Sequence, residues 1–213
     1  MTSARGKLIT LEGGEGAGKT TLLTGLHAHL ERAGIEVLQT REPGGTALGE
    51  AVRLLVLDPA LRTIAPQTEA LLMFAARAQL VRELLRPALA AGRWVLCDRY
   101  TDASYAYQGG GRGLDPALIA QLEAIATEEL KPDLTLLLDL PVAHGRERTH
   151  VRGDADRIER EDDGFFERVR QAYLARAAAE PRRFRVLDAG CPVDEVLAAA
   201  VVAVDALREG GTS

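Results

Sequence analysis

The densest group of residues able to do chemistry lies near the start of the chain, where glycines precede a lysine and two threonines. Residues 13–20 (GGEGAGKT) fit the pattern GxxxxGK[ST] and follow an apolar stretch. Glycines in this pattern let successive backbone N–H groups converge on phosphate oxygens, and the start of the next helix adds partial positive charge. Lys19 would reach the β and γ phosphates, and Thr20 would ligate Mg²⁺. We therefore expect a nucleoside triphosphate with Mg²⁺; a chance glycine turn before a helix is the alternative.

The residues predicted to hold the triphosphate form one run: Gly13, Gly14, Glu15, Gly16, Ala17, Gly18, Lys19, Thr20 and Thr21. Guanine-specific switches read their base with an NKxD loop, and this sequence contains no asparagine. A GTPase switch is therefore disfavoured.

A second acidic group is expected near the metal. Asp98 ends a short apolar run and is followed by Arg99 and Tyr100. Ligands bind at the carboxyl ends of the strands in a parallel sheet, and a carboxylate there can hold Mg²⁺ directly or through water. We expect Thr20 and Asp98 to face the metal; a simple cap on the next helix is the alternative for Asp98.

The elements that must position these residues alternate between short β-branched runs and longer segments of helical period. The predicted strands are Leu8–Glu12, Ile35–Thr40, Trp94–Asp98, Leu134–Leu140 and Phe184–Asp188. The predicted helices are Thr20–Ala33, Ala47–Leu57, Thr68–Ala91, Pro116–Glu129, Val142–Val151, Phe165–Ala179 and Val193–Glu209. This alternation is typical of βαβ units around a parallel sheet, so we expect an α/β fold.

Two segments fit neither pattern. Residues 107–113 (YQGGGRG) are rich in glycine, and residues 152–163 (RGDADRIEREDD) are rich in charge. We expect both segments to be exposed and mobile. Pro87 is expected to kink the long third helix, because proline cannot donate a backbone hydrogen bond.

Composition restricts the class of protein. The chain has 213 residues, 46% of them hydrophobic, so we expect one domain over residues 1–213. The net charge, 26 − 31 = −5, argues against a nucleic-acid partner. No apolar run is long enough for a membrane span, and Met1–Thr10 is too polar for a secretory signal. With no CxxC pair between Cys97 and Cys191, a cytoplasmic location is expected.

Four motifs in this order and spacing resemble bacterial thymidylate kinases. They are EGGEGAGKTT at 12–21, TREPGGT at 40–46, DRY at 98–100 and AYQGGGRG at 106–113, with PDLT at 132–135 and DRIE at 156–159 in addition. The resemblance covers almost the whole chain. It implies a three-layer fold of the P-loop NTPase type with five parallel strands in the order 2-3-1-4-5. It also implies Mg²⁺-assisted transfer of a phosphoryl group from ATP to dTMP, giving dTDP, by a homodimer.

The same resemblance assigns residues to the base of dTMP. Arg77 would donate to the base, and Phe74, three positions earlier on the same helix, would stack on it. Many relatives carry the aromatic residue four positions before the arginine, where this chain has Met73, so either residue can form the wall. Ser104 and Gln108 match positions that hydrogen-bond the base.

The sugar and phosphate of dTMP also have matching positions. Tyr107 matches a residue beside the sugar, where a packed ring would disfavour a ribose 2′-hydroxyl. Arg53 and Arg99 match phosphate-binding positions, which suits a guanidinium because its fork fits phosphate oxygens. Glu42 and Pro43 match a turn on the sugar and Mg²⁺ side, and the sequence leaves the isomer of the bond before Pro43 open.

The transfer step needs alignment and positive charge more than a base, because a phosphate oxygen of dTMP is already ionised at neutral pH. Relatives supply this charge from an arginine in the phosphate loop or from a lid. Here the loop, residues 13–20, carries no arginine, so a lid at about 152–163 is expected to supply it. The expected catalytic residues are Glu15, Lys19, Arg99, Arg152 and Arg157. For the two lid arginines, salt bridges on a solvated loop are the alternative.

Two other functions remain open at this point. A different P-loop kinase, acting on another nucleoside monophosphate or on a deoxynucleoside, would share the loop, the sheet and the lid. An ATP-gated binding module would use the loop as a switch and would need no second phosphate site. The arginines at 53, 77 and 99 argue against the switch.

Overall fold

The computed structural model describes residues 5–61, 63–150 and 155–210. Their strands form one five-stranded sheet in the order β2-β3-β1-β4-β5, with every neighbouring pair parallel. The strands are β1 Leu8–Gly13, β2 Val37–Arg41, β3 Trp94–Asp98, β4 Leu134–Asp139 and β5 Phe184–Asp188. The predicted α/β class and the strand order 2-3-1-4-5 are confirmed.

Helices cover both faces of the sheet. They are α1 Lys19–Arg32, α2 Ala47–Leu57, α3 Pro66–Leu80, α4 Arg86–Ala90, α5 Thr101–Ser104, α6 Pro116–Thr127, α7 Val142–His150, α8 Asp163–Ala179 and α9 Val193–Glu209. Successive residues of the central strand β1 point to opposite faces: Ile9 packs with α1 and α9, whereas Leu8 packs with the end of α3 and with α4. None of the helices in the described part of the chain is long and apolar enough to cross a bilayer.

The prediction of a single helix over Thr68–Ala91 is wrong in detail. The helix begins at Pro66, widens into a π turn over Val81–Leu85 and resumes as α4. The widening directly precedes Pro87, which has no N–H to donate, so the backbone hydrogen bonds are rearranged there. A π turn therefore interrupts the predicted helix just before Pro87.

The prediction that residues 107–113 are irregular and exposed is wrong over residues 107–111, whereas Gly113 is exposed as expected. Tyr105–Gly111 forms a second π turn that continues α5, and most of its residues are buried against α8. A Cβ on Gly110 would lie 2.9 Å from the carbonyl oxygen of Arg168 and 2.7 Å from Cβ of Ala172. Glycine is needed here for close packing and not for mobility.

We predict that Gly110→Ala lowers the free energy of unfolding by about 1–3 kcal/mol, because the added methyl group overlaps the backbone of α8. Gly109→Ala is the matched control, since its Cβ would meet no atom closer than 3.9 Å. Urea denaturation of both variants tests this. Equal stabilities for the two variants would contradict the packing role.

Candidate active site

The glycine-rich loop turns tightly between β1 and α1. Gly16 has φ 71°, and a Cβ there would lie 2.4 Å from the carbonyl oxygen of Gly145. Lys19, at the start of α1, folds back over the loop and donates from Nζ to the carbonyl oxygens of Gly13 (3.2 Å) and Gly14 (2.8 Å). The loop therefore holds a buried ammonium group at the carboxyl end of β1.

Arg99 occupies the centre of the site, directly after β3. Its guanidinium donates to the carbonyl oxygen of Gly13 (3.0 Å), to Glu15 Oε1 (2.6 Å), and to the hydroxyls of Tyr107 (3.0 Å) and Tyr173 (3.1 Å). Its backbone has φ 69°, a conformation rare for a residue with a side chain. Such strain persists where the surrounding contacts fix the residue, and functional sites are enriched in it.

The charges of the loop perturb one another strongly. Burial alone would raise the pKa of Glu15, but the positive charges of Arg99 and Lys19 and the hydrogen bond from Tyr107 lower it to about 2. Burial and the charge of Arg99 lower the pKa of Lys19 to about 8, against the attraction of Glu15. Glu15 is therefore a carboxylate at neutral pH, and Lys19 is mostly protonated.

A cleft of about 320 Å³ opens beside Arg99. The predicted site residues that line it are Glu15, Gly16, Ala17, Gly18, Lys19, Thr20, Thr21, Glu42, Pro43, Arg53, Asp98, Arg99, Tyr107 and Gln108. Arg53 donates to the carbonyl oxygen of Pro43 (3.2 Å), and the Glu42–Pro43 peptide bond is cis. The structure therefore brings together most of the residues assigned to the acceptor and the loop.

Three predicted base-binding residues lie behind the wall of this cleft. Arg77 is fully buried and donates to Glu42 Oε2 (2.7 Å), Ser104 Oγ (2.9 Å) and the carbonyl oxygen of Tyr100. The Phe74 ring packs under the Arg77 guanidinium, 4.5 Å away, and belongs to the core. Met73 lines the cleft instead. Of the two candidates for the apolar wall, Met73 lines the cleft and Phe74 does not.

Three residues that line the cleft each carry a buried side-chain oxygen without a hydrogen-bond partner among the described residues: Glu42 Oε1, Asp98 Oδ1 and Gln108 Oε1. Buried acceptors of this kind are costly unless a ligand or an ion satisfies them. Asp98 Oδ1 and the exposed Thr20 at the loop fit a hard cation. No group of three His, Cys, Asp or Glu side chains in the described ranges could hold a metal by itself.

A second cavity, of about 590 Å³, opens on the other side of the loop. It runs between α1, α9 and the turn after β5, and its lining includes Arg148, Ala189 and Cys191. Arg148 donates to the carbonyl oxygen of Ala189 (3.2 Å). Both cavities share loop residues 17, 18, 20 and 21. The loop therefore separates two spaces, each large enough for part of a nucleotide.

Glu12 was missed by sequence reasoning, although it sits one residue before the loop. It is fully buried in β1 and accepts hydrogen bonds from the backbone N–H of Tyr100 and the hydroxyl of Tyr173, both at 2.7 Å. Burial and the charge of Asp102 raise its pKa to about 8, against the charge of Arg99. The available signal was an acidic residue inside an otherwise apolar strand.

Comparison with known proteins decides the family. A family model described as Thymidylate kinase matches residues 11–200. This chain belongs to the thymidylate kinase family. The resemblance carried by the four motifs is confirmed.

Individual thymidylate kinases match this chain over nearly their whole length. The thymidylate kinase of Alcanivorax borkumensis is 55% identical over 191 residues, covering 90% of this chain and 92% of that protein. The one from Ectopseudomonas mendocina is 57% identical over 193 residues, covering 91% and 92%. Among solved structures, thymidylate kinase from Ehrlichia chaffeensis matches with a TM-score of 0.77 and 29% identity, covering 94% of this chain and 99% of that chain.

The structure describes only one of the two lid arginines that the resemblance predicts. Arg152 lies outside the described residues. Arg157 is buried, so the expectation of a wholly exposed segment is wrong at this position; its guanidinium donates to Glu69 Oε2 (2.5 Å) and to the carbonyl oxygen of Val56 (2.7 Å). Pairing with Glu69 offsets the cost of burying this charge. The neighbours of Arg157 in the segment, Asp156 and Ile158, line the cleft.

We predict that Glu12→Gln changes how stability depends on pH. The pKa of about 8 lies above the ordinary 4.5, so folded Glu12 keeps a proton that the unfolded chain releases, and this group lowers the free energy of unfolding as pH rises from 4.5 to 8. Glutamine does not titrate. Relative to the wild type, the variant should gain more than about 1 kcal/mol between pH 5.5 and 8 in urea denaturation. A difference that stays constant with pH would contradict this.

Proposed function

We propose that this chain, as a single domain, binds ATP with Mg²⁺ in the cavity beside α9 and dTMP in the cleft beside Arg99. It transfers the terminal phosphoryl group of ATP to dTMP, giving dTDP. Two cavities that meet at one phosphate-binding loop, each large enough for part of a nucleotide, carry the proposal, on a chain of the thymidylate kinase family. A switch module has no use for the second space.

The residues of the cleft suit an in-line transfer between two anions. The attacking oxygen of dTMP is ionised at neutral pH, so the protein does not need to remove a proton. Arg53 and Arg99 reach the cleft from α2 and β3, and we assign them to the acceptor phosphate. Lys19 supplies positive charge at the loop. This charge would stabilise the negative charge that spreads over the phosphoryl group during transfer.

The proposed magnesium site uses Thr20 and Asp98, together with nucleotide phosphates. When bound there, Mg²⁺ would neutralise the charge that develops on the phosphates during transfer. Glu15, which lines the cleft, accepts a hydrogen bond from Arg99, and we assign its carboxylate to the sugar side of the acceptor.

Arg152 is the lid residue that we propose for additional positive charge at the transfer point. Arg157 already uses its guanidinium for Glu69 and for the carbonyl oxygen of Val56. Moving Arg157 to the phosphates would leave the buried Glu69 with less charge compensation, which is costly. Arg157 therefore serves the site as an anchor of the segment that lines the cleft.

A panel of acceptors tests the function. With ATP and Mg²⁺ present, we predict that dTMP is converted to dTDP and that dCMP, AMP and GMP react much more slowly. Chromatography of the products measures each rate. Preference for another monophosphate or for a deoxynucleoside would establish a different kinase. No transfer to any acceptor, with no heat when monophosphates are titrated, would establish a switch.

Two lysine variants extend this panel, one as the test of the loop and one as its matched control. Lys19→Ala should lower kcat by on the order of 10²–10³ and change dTMP affinity far less, because Lys19 acts on the transferred group. Lys131→Ala removes an exposed lysine and should retain wild-type rates.

We propose that the protein works as a homodimer in the cytoplasm. Leu54 on α2, Leu71 on α3 and Ile125 on α6 are 77, 57 and 77% exposed, and α3 packs between the other two helices. Exposed apolar groups on adjacent helices are typical of an interface. Both cysteines are free, which suits a reducing compartment.

The double variant Leu54→Glu with Ile125→Glu should be monomeric in light scattering after gel filtration, because it places charges in the interface. Val202→Glu, at a 70% exposed position on α9, should keep the wild-type mass. A wild-type protein that is monomeric, or a double variant that stays dimeric, would refute this interface.

A further inference from the structure

A buried carboxylate outside the cleft orients one of the residues that line it. Glu69, in the first turn of α3, is 1% exposed and accepts a hydrogen bond from Nε2 of Gln108 (2.9 Å). A carboxylate can only accept, so the amide of Gln108 must turn its NH₂ group toward Glu69. The amide oxygen then points away from Glu69.

That oxygen is a buried acceptor without a hydrogen-bond donor among the described residues. Gln108 Oε1 has no partner in the described part of the chain, and Gln108 lines the acceptor cleft. A base edge that presents an N–H donor, such as N3–H of thymine, would satisfy it. Cytosine has a lone pair at N3, which would face the same oxygen and be repelled. Sites built to bond a polar hydrogen reject analogues that lack it.

Two arginines hold Glu69 in the ionised form that this orientation requires. Arg157 donates to its Oε2, and Arg112 donates to its Oε1 from Nε (3.3 Å). Burial alone would raise the pKa of Glu69, but the hydrogen bond from Gln108 and the two arginines lower it. Glu69 therefore remains an acceptor at neutral pH.

We propose that Glu69 is a positioning residue that sets the base selectivity of the acceptor cleft by fixing the amide of Gln108 with its oxygen toward the base. This inference rests on the proposed function, since it takes the cleft to be the dTMP site. Glu69 itself touches no substrate. Its effect on selectivity passes through Gln108 alone.

The arrangement also connects Gln108 to the segment at residues 156–161, part of which lines the cleft. The backbone N–H of Arg157 donates to the carbonyl oxygen of Leu57 (3.1 Å), and Arg112 donates to Glu161 Oε1 (2.5 Å). The arginines that orient Glu69 thus tie the same carboxylate to residues 157–161. Gln108 is held in its reading orientation when this segment is packed in place.

The test is Glu69→Gln, read as the ratio of the dissociation constants of dCMP and dTMP in isothermal titration calorimetry. An amide at position 69 can donate or accept, so Gln108 can turn either atom to the cleft. The wild type should prefer dTMP, and the ratio should fall about tenfold in the variant, the scale of one mismatched hydrogen bond. A ratio of affinities is unaffected by a smaller folded fraction, so a purely structural role would not move it.

An exposed Gln–Glu pair provides a matched control. In this pair, Gln79 Nε2 donates to Glu83 Oε2 (2.8 Å). Glu83→Gln makes the same chemical change and should keep the wild-type ratio. Glu69→Asp is the second variant: it keeps the negative charge for the two arginines but withdraws the carboxylate from Gln108, and its ratio should also fall.

A wild-type ratio in Glu69→Gln would overturn the inference, and if that variant does not fold, a wild-type ratio in Glu69→Asp would do so. Equal affinity of the wild type for the two nucleotides would also overturn it. Because the readout is binding, it is separate from dTDP formation. A wild type that discriminates in binding but makes no dTDP would refute the proposed function and leave the role of Glu69 standing.

Discussion

The site depends on one largely buried guanidinium that must be compensated from several directions. Arg99 follows β3, and the parallel pairing of β1 and β3 brings it to the loop after β1. A buried cation is tolerated only with matching acceptors, and here Glu15, the carbonyl oxygen of Gly13 and two tyrosine hydroxyls supply them. The loop, the strand end, the π turn and α8 are therefore fixed relative to one another before any nucleotide binds.

The same rule explains why residues near the cleft serve both packing and function. Arg77 is compensated by Glu42, and Glu69 by Arg157. Removing one partner of such a buried pair costs about 3–5 kcal/mol, so each charge holds its neighbour in place. Preorganised charge is also what phosphoryl transfer requires, because dipoles that are already oriented cost nothing to reorganise during the reaction. In the proposed function, the ion pairs that stabilise the fold beside the cleft also hold its charges in place.

The sequence predicted the features that depend on local residue patterns. It missed the features that depend on partners distant in the chain. The strands and the loop with Lys19 follow from apolar runs and glycine spacing, while the strand order came from the family resemblance. Residues 107–113 were misjudged because their glycines pack against α8, which lies about 60 residues away in the chain. Spacing could not separate Met73 from Phe74, since adjacent helix positions differ only in which way they face. Glu69 carried no signal, because its partners come from distant segments.

The central claim is that two nucleotides meet end to end across one loop. Calorimetric titration with a bisubstrate analogue, adenosine and thymidine joined through their 5′ oxygens by five phosphates, tests it most directly. We expect one molecule bound per chain, with higher affinity than either nucleotide alone and with loss of both ATP and dTMP binding. Independent binding of dTMP in the presence of saturating analogue would contradict the account.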